Sequence, residues 1–453
     1  MAFLWLLSGL LLSVSQTAFA TASHELILDN GLKVVVKEDH RAPVVVSQVW
    51  YKVGSAYEHS GITGISHALE HMMFKGTEKH PPGEFSRIIA ENGGQENAFT
   101  GRDYTAYFQQ LEASRLEISF ELEADRMRNL TLPEEEFLKE IRVVIEERRL
   151  RTEDKPKALT FEQFNASAFV NSAYHHPVIG WMDDLESMTV EDLRHWYEKW
   201  YGPNNATLVV VGDVDPQQVF ALAEKHFGAL KPSEIATEKP RREITQKGIR
   251  NIVVKAPAKL PYLIMGYKVP VLGTAQKAWQ PYALDVLSGV LDGGDSARFA
   301  RRLVRGQQIA AGIGAGASIT SRHQDLFLIS GTPTEEHSID ELKAAIFEQI
   351  ADLQQNLVSD QELERIKTQV VTGSVYEKDS IFYQAMQIGT LETVGLDWRM
   401  LDDYVDNIRA VTAEQIRDVA NEFFIEDHLT VATLDPQPMD STAPASAPAR
   451  PSH

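Results

Sequence analysis

The stretch Ile65–Thr77, ISHALEHMMFKGT, sets two imidazoles and a carboxylate in an apolar run. His67 and His71 are four residues apart, so on a helix both rings share one face, one turn from each other. That spacing suits two ligands of one tetrahedral zinc. Glu70 stands three residues after His67, at the edge of the same face. From there it reaches a water on the metal without being a ligand itself. Ala68, Leu69, Met72, Met73 and Phe74 make the helix read as buried, where unpaired imidazoles and a carboxylate would be costly. A metal removes that cost. The competing explanation is a surface helix with scattered polar residues, because His-x-x-Glu-His is a short pattern.

A catalytic zinc needs a third protein ligand and an open position. The best candidates lie in EEEFLKEIRVVIEERRLRTEDKP, from Glu134. Glu140 and Glu147 are seven apart, two turns on one helix face, with Val143 and Val144 between them. Glu146 points about 100° away from Glu147. Spacing alone does not choose between these two neighbours. Glu134 to Glu136 and Arg148 to Arg151 read as a charged, solvated face.

These groups need a scaffold, and the chain repeats one. LKVVVKEDHRAPVVVSQVWYKVGS from Leu32 parallels IRNIVVKAPAKLPYLIMGYKVPVLGT from Ile249. Lys37 and Lys255 are 218 apart, as are Pro43 and Pro261. MTVEDLRHWYEKWYGPNNATLVVVGDVDP from Met188 parallels VTAEQIRDVANEFFIEDHLTVATLDP from Val411, with Thr189 and Thr412 223 apart. Both segments open a helix with Thr and an acidic or amide residue three later, a capping-box pattern. Two matches at nearly one offset predict two homologous halves, 24–231 and 250–436, joined by a polar linker over 232–249. Helical spacing in EFSRIIAENGG, RLEISFELEADRMRNL and PEEEFLKEIRVVIEERRLR alternates with strands such as TAYFQQL and NATLVVVGDV. The order predicts an α+β fold: two homologous domains, each an antiparallel-rich sheet covered on one side by helices.

The ends carry their own signals. Residues 1–20, MAFLWLLSGLLLSVSQTAFA, read as a secretory signal peptide cleaved after Ala20, although no Lys or Arg precedes the apolar core. An uncleaved anchor is the alternative, but the run is short for a span. The tail 437–453 is low-complexity and reads as disordered. The chain has no cysteine, which removes disulfides, thiolate ligands and a lipoprotein anchor. A net charge of −20 argues against nucleic acid and anionic membranes as partners. The mature chain is expected to be exported and periplasmic, with no stable membrane insertion.

The sequence resembles the pitrilysin and mitochondrial processing peptidase family, the inverted-motif zinc peptidases, over nearly all of its mature length. The resemblance rests on His67-Ala-Leu-Glu70-His71, on Glu140 followed by Glu147, on GGQENAFTGRDYTAY and on WYGPNNATLVVVGDVD. It implies one Zn2+ per chain held by His67, His71 and Glu147. It makes Glu70 the general base on zinc-bound water and Glu140 a carboxylate that orients a ligand. It implies that the strand Asn97, Ala98, Phe99, Thr100 pairs with substrate backbone by β-augmentation. Family members have two repeated α+β domains and enclose unfolded peptides of limited length, so peptides rather than folded proteins are the expected substrates.

The chain departs from the family at one place. Active single-chain relatives carry an Arg and, seven later, a Tyr in the second half, which hold substrate and oxyanion. Here the stretch reads LVRGQQIAAGIGAG, with Val304 and Ala311 at those positions, and Arg305 has no Tyr seven after it. The expectation is a heterodimer in which this chain bears zinc and a homologous subunit bears the Arg/Tyr pair. A non-catalytic peptide-binding or scaffold subunit of the same family is the alternative, but such members lose motif residues and this chain keeps all five. S-ribosylhomocysteine lyase also uses His-x-x-Glu-His, but it needs a catalytic cysteine and a much shorter chain.

Overall fold

Runs of β-branched residues build the sheets. The strand Ala206–Gly212, ATLVVVG, is buried at every position, and Val44–Tyr51, VVVSQVWY, at all but its first. The computed structural model describes residues 23–235, 239 and 241–439. The leader at 1–20 and residues 440–453 of the expected tail lie outside the described residues, as does part of the linker, whereas Gln437, expected to open the disordered tail, ends a strand because it pairs with Pro257.

The first sheet contains β1 (Ser23–Ile27), β2 (Lys33–Glu38), β3 (Val44–Tyr51), β4 (Gln95–Thr100), β5 (Thr105–Glu112) and β6 (Ala206–Gly212), in the order β1-β2-β6-β3-β5-β4. The second contains β7 (Arg250–Pro257), β8 (Tyr262–Val269), β9 (Ala310–Ala317), β10 (Asp325–Pro333) and β11 (Leu429–Gln437), in the order β7-β11-β8-β10-β9. Without β1 the two orders are the same. In each sheet one pair is parallel, β2 with β6 and β7 with β11, and the remaining pairs are antiparallel. The capping boxes form in both halves, Thr189 with Asp192 and Thr412 with Gln415. The fold is α+β with two sheets.

Helices cover more than one side of each sheet, unlike the sequence expectation. The first sheet packs its own helices on one face through Val34, Val36, Val49, Leu208 and Val210. Its other face, with Val35, Val46, Trp50, Val209 and Val211, meets Ala385, Ile388 and Trp398 of the second half. The helix Ile381–Thr393 lies on β3 and β6, and Gly389 brings it so close that a Cβ there would stand 2.1 Å from the Trp50 ring. The exchange is reciprocal. The helix Pro156–Ala168 of the first half lies on β7, β8 and β11, with Phe164 and Ala168 against Ile264, Leu326 and Ala432. The physical reason is visible in β3 and β6. Their apolar runs are continuous rather than alternating, so both faces need cover.

The linker is more than a tether. Glu243 accepts hydrogen bonds from the N–H groups of Val170 (2.9 Å), Asn171 (2.9 Å) and Ser172 (3.0 Å) and pairs with Lys268 Nζ of β8 at 2.7 Å. One buried carboxylate therefore fastens the joining segment to both halves.

A candidate metal centre

The helix Ile65–Met72 begins at Gly64, whose φ of 84° falls in the left-handed region. A Cβ there would also stand 2.6 Å from the Ile179 carbonyl, so glycine serves both the turn and the close approach. The capping group comes from upstream. The buried Glu58 carboxylate accepts from the N–H of Gly64 at 2.7 Å and of Ser66 at 2.9 Å. It satisfies orphan donors and places negative charge at the positive end of the helix. Burial, opposed by those same hydrogen bonds, pushes the Glu58 carboxyl up to about 7. Thr63 is tied to Asp184 by its N–H (3.0 Å) and its hydroxyl (2.5 Å). The motif helix thus starts from a fixed point.

Its residues divide as the apolar flanks require. Ala68, Leu69, Met72 and Met73 are buried in the first core. His67, Glu70 and His71 turn toward the helix Glu134–Arg148, the edge strand β4 and solvent. Glu147 Oε2 lies 3.8 Å from His67 Nε2 and 3.5 Å from His71 Nε2. The ligand atoms of His67, His71 and Glu147 all lie within 4.8 Å of one another. Their side chains are 13%, 21% and 17% exposed, so the cluster is open on one side. His71 Nδ1 sits 3.2 Å from Glu140 Oε2, and Glu140 Oε1 accepts from Lys75 Nζ at 2.6 Å. Glu146 faces away, exposed and paired with Arg149. Of the two adjacent glutamates, Glu147 is the one brought to the histidines.

One arginine of the charged run, Arg148, behaves unlike a solvated face, while Arg151 is exposed as expected. Arg148 is buried, giving its guanidinium to Glu162 at 2.7 and 2.9 Å and to the Gly180 carbonyl at 2.8 Å. It pins the helix to the segment that packs against Gly64. Arg151 reaches back to Glu147 Oε1 at 2.6 Å. The charged run hides Arg148, because its partners Glu162 and Gly180 lie on other elements.

β4 supplies the remaining contacts, and its residues alternate. Ala98 packs on the motif-helix side, where Thr100 Oγ1 donates to Glu70 Oε2 at 2.5 Å. Phe99 points to the opposite face, edge-on to Trp50 and Tyr104 with ring centroids 5.3 and 6.0 Å away. Asn97 is exposed, and its side-chain oxygen accepts from the Ala98 N–H at 2.8 Å. So two of the four strand residues named from the sequence face the histidine helix. Val304 packs at the margin of the second core, and Ala311 stands exposed on β9.

The chemistry of the donor set fits a divalent cation. Burial and the neighbouring His71 push His67 down to about 4, so its ring is neutral and offers a lone pair at neutral pH. Its Nδ1 is buried without a hydrogen bond among the described residues. Burial works against protonation of His71, yet Glu140 and Glu147 outweigh it and hold that imidazole up at about 9. Glu147 is held below the usual carboxylate range by its hydrogen bond with His71. A cation bound between these groups would take the place of the proton they favour on His71. Two imidazoles and a carboxylate, with a carboxylate behind one imidazole, match the donor types of a zinc site and its outer support. Glu70, outside that set, is shifted upward by burial, with the Thr100 hydrogen bond opposing.

Comparison with known proteins places the chain in a family. Residues 33–180 match the family model described as Insulinase (Peptidase family M16), and residues 187–370 match the one described as Peptidase M16 inactive domain. Zinc protease PqqE of Helicobacter pylori is 35% identical over 441 residues, covering 94% of this chain and 95% of that protein. The uncharacterized zinc protease YmxG of Bacillus subtilis is 28% identical over 412 residues, covering 90% and 97%. The crystal structure of a protease from Helicobacter pylori matches with a TM-score of 0.87 at 33% identity, covering 92% of this chain and 100% of that one. A peptidase M16 inactive domain from Pseudomonas fluorescens shares the fold with a TM-score of 0.83 at 17% identity, over 92% and 98% of the two chains. This chain belongs to peptidase family M16.

Proposed function

We propose that this chain is a zinc-dependent endopeptidase acting on unfolded peptides, with a homologous subunit completing its active site. The observation that carries the reading is the convergence of His67, His71 and Glu147 within 4.8 Å, beside Glu70 and an open strand edge. His67, His71 and Glu147 would hold a zinc ion, which when bound would supply an acidified water and a Lewis acid for the scissile carbonyl. Glu70 takes a proton from the attacking water and delivers it to the leaving nitrogen as the C–N bond breaks. Glu140 holds the ring of His71 through Nδ1. The free edge of β4 lays a peptide out in extended form by adding it as a strand.

Val304 and Ala311 leave the second half without the cation and phenol expected of active single-chain family members at the oxyanion. We assign those groups to a homologous partner subunit. The inactive-domain match over residues 187–370 supports that division of labour. No helix among the described residues is long and apolar enough to cross a membrane. The leader-like Met1–Ala20 supports an exported, periplasmic location.

The test is peptide cleavage by the mature chain, with and without zinc or chelator, beside Glu70→Gln. Zinc-dependent cleavage that the variant lacks supports the peptidase, and cleavage by the chain alone removes the need for a partner. Stoichiometric zinc without cleavage, restored by a homologous subunit, supports the split site. No zinc uptake from zinc-replete solution overturns the reading.

A further inference from the structure

We infer that Thr100 is a positioning residue for the general base: its hydroxyl fixes the orientation of the Glu70 carboxylate and couples it to the strand that receives the peptide. The inference rests on the peptidase reading above and gives Thr100 a role distinct from backbone pairing.

A glutamate carboxylate rotates easily about its last torsion, so an isolated base points its oxygens in many directions. Here one oxygen is held. Thr100 Oγ1 donates to Glu70 Oε2 at 2.5 Å, which leaves Oε1 to accept a proton. Thr is β-branched and sits at the end of a strand, where its χ1 is restricted, so the hydroxyl itself has little freedom.

The frame around this bond is closed on both sides. β4 runs from Thr100 directly into the turn Gly101–Tyr104, where Gly101 N–H donates to the Tyr104 carbonyl at 2.8 Å. The carbonyls of Gly101 and Arg102 accept from the N–H groups of Ser55 (3.2 Å) and Ala56 (2.8 Å). Gly54 permits that approach, because a Cβ there would stand 2.4 Å from the Gly101 carbonyl oxygen. Two residues beyond Ala56 stands Glu58, which caps the helix bearing Glu70. The chain therefore forms a ring: β4, its turn, the segment Gly54–Glu58, the motif helix, Glu70, and back through the hydroxyl to Thr100.

Both halves brace the same turn, the first through Tyr174 and the second through Arg322 and Asp325. Tyr174 OH donates to Asp103 Oδ2 at 2.5 Å, and the Arg322 N–H donates to the same oxygen at 3.1 Å. Arg102 reaches Asp325 of β10 at 3.2 Å. The turn that directly follows Thr100 is thus fixed by contacts from both halves. The hydrogen bond is the closing contact of a rigid frame, the arrangement by which a second group sharpens the geometry of a reacting one.

Thr100→Val keeps the shape and removes the donor, and Thr100→Ser restores the donor. Both are compared with the native chain, zinc-loaded and with its partner subunit where cleavage requires one. Zinc affinity by chelator competition and KM should stay unchanged in both variants. kcat should fall about 10–100-fold in Thr100→Val, the usual scale for losing an outer partner, and return largely in Thr100→Ser. Crystals of the metal-free Thr100→Val chain should show the Glu70 carboxylate spread over several orientations, against one in the native chain. Native kcat in Thr100→Val, equal loss in both variants, or a single unchanged Glu70 orientation overturns the inference. If the native chain fails to cleave peptides at all, the peptidase reading falls, and the Glu70 orientation in metal-free crystals still decides the role of Thr100.

Discussion

In the first half the helix Ile65–Met72 lies beside the edge strand β4, and in the second the helix Gln280–Asp292 lies beside the edge strand β9. The 218-residue offset of Lys37 and Lys255 puts Gly289 at the place of His71 and Asp285 at the place of His67. Pro133 and Ser359 precede the corresponding second helices, 226 residues apart, which puts Ile366 at the place of Glu140 and Gly373 at the place of Glu147. Where His71 meets Glu140 at 3.2 Å, Ile366 packs on Gly289 so tightly that a Cβ there would stand 2.7 Å from its methyl. Where His67 awaits a ligand role, Asp285 accepts a hydrogen bond from Tyr404 OH at 2.6 Å. One frame carries a converging polar cluster, and its copy carries methyl-on-glycine packing and a polar pair satisfied within the protein. Half-buried histidines and glutamates cost desolvation. The first half retains them at a position where the second shows that packing alone suffices for the fold.

The comparison breaks most sharply at Glu70. Glu70→Gln should lower peptide cleavage about 1,000-fold, within the range for removing a general acid–base group, while zinc content and thermal stability stay native. Cleavage within tenfold of native would remove Glu70 from the chemistry. Next comes Glu147→Gln, which should weaken zinc by more than the 10–100-fold typical of losing an outer partner, read by chelator competition. Glu146→Gln, one residue away and exposed, should leave zinc affinity unchanged. Equal losses in the two variants would mean that the helix supplies charge rather than a ligand.

The equivalent positions Glu140 and Ile366 sharpen the contrast. Glu140→Gln should cost about 10–100-fold in zinc affinity and little stability. Ile366→Ala removes a fully buried side chain and should cost about 2–4 kcal/mol of stability, with zinc affinity untouched. Denaturant titration and metal competition on both variants test this. Crossed results, with Glu140 governing stability and Ile366 governing metal, would overturn the division of the halves into chemistry and packing.

Much of the site was legible because its signals are local. His67 and His71 declare a shared face by spacing, and the apolar residues around them declare burial. Glu140 and Glu147 declare a second face in the same way, and Thr189–Asp192 and Thr412–Gln415 declare helix starts. What escaped is set by contacts distant in sequence or hidden in loops. Glu58 caps the motif helix from a loop with no periodic pattern. Arg148 sits in a run of charges, and its burial is decided by Glu162 and Gly180, 14 and 32 residues away. The exchange of the helices Pro156–Ala168 and Ile381–Thr393 between the halves also escaped, because each packs on a sheet far away in sequence. Only the continuous apolar runs of β3 and β6 hint that a second cover is needed, and nothing in them says which half provides it.

The linker gives the smallest expected effect and links the halves to pH. Burial raises the Glu243 carboxyl, but the Lys268 ammonium and the N–H groups of Ser172 and Asn171 outweigh it, leaving the group below its ordinary value. A depressed carboxyl binds fewer protons in the folded chain than in the unfolded one. Its contribution to stability is therefore complete above the ordinary glutamate value, about 4.3, and is lost as pH falls through the lower folded value. Glu243→Gln keeps the shape but gives up the charge and one of two acceptor oxygens. The oxygens are separately engaged, one by three backbone donors and the other by Lys268. The variant should lose about 2 kcal/mol at neutral pH, the scale of one unsatisfied buried donor. It should also unfold with a shallower dependence on pH below about 4.3. The half-to-half contacts at Trp50 and Gly389 carry no titratable group, so Gly389→Ala should lower stability equally at every pH. An acid limb unchanged in Glu243→Gln would mean that the exchanged helices alone hold the halves together.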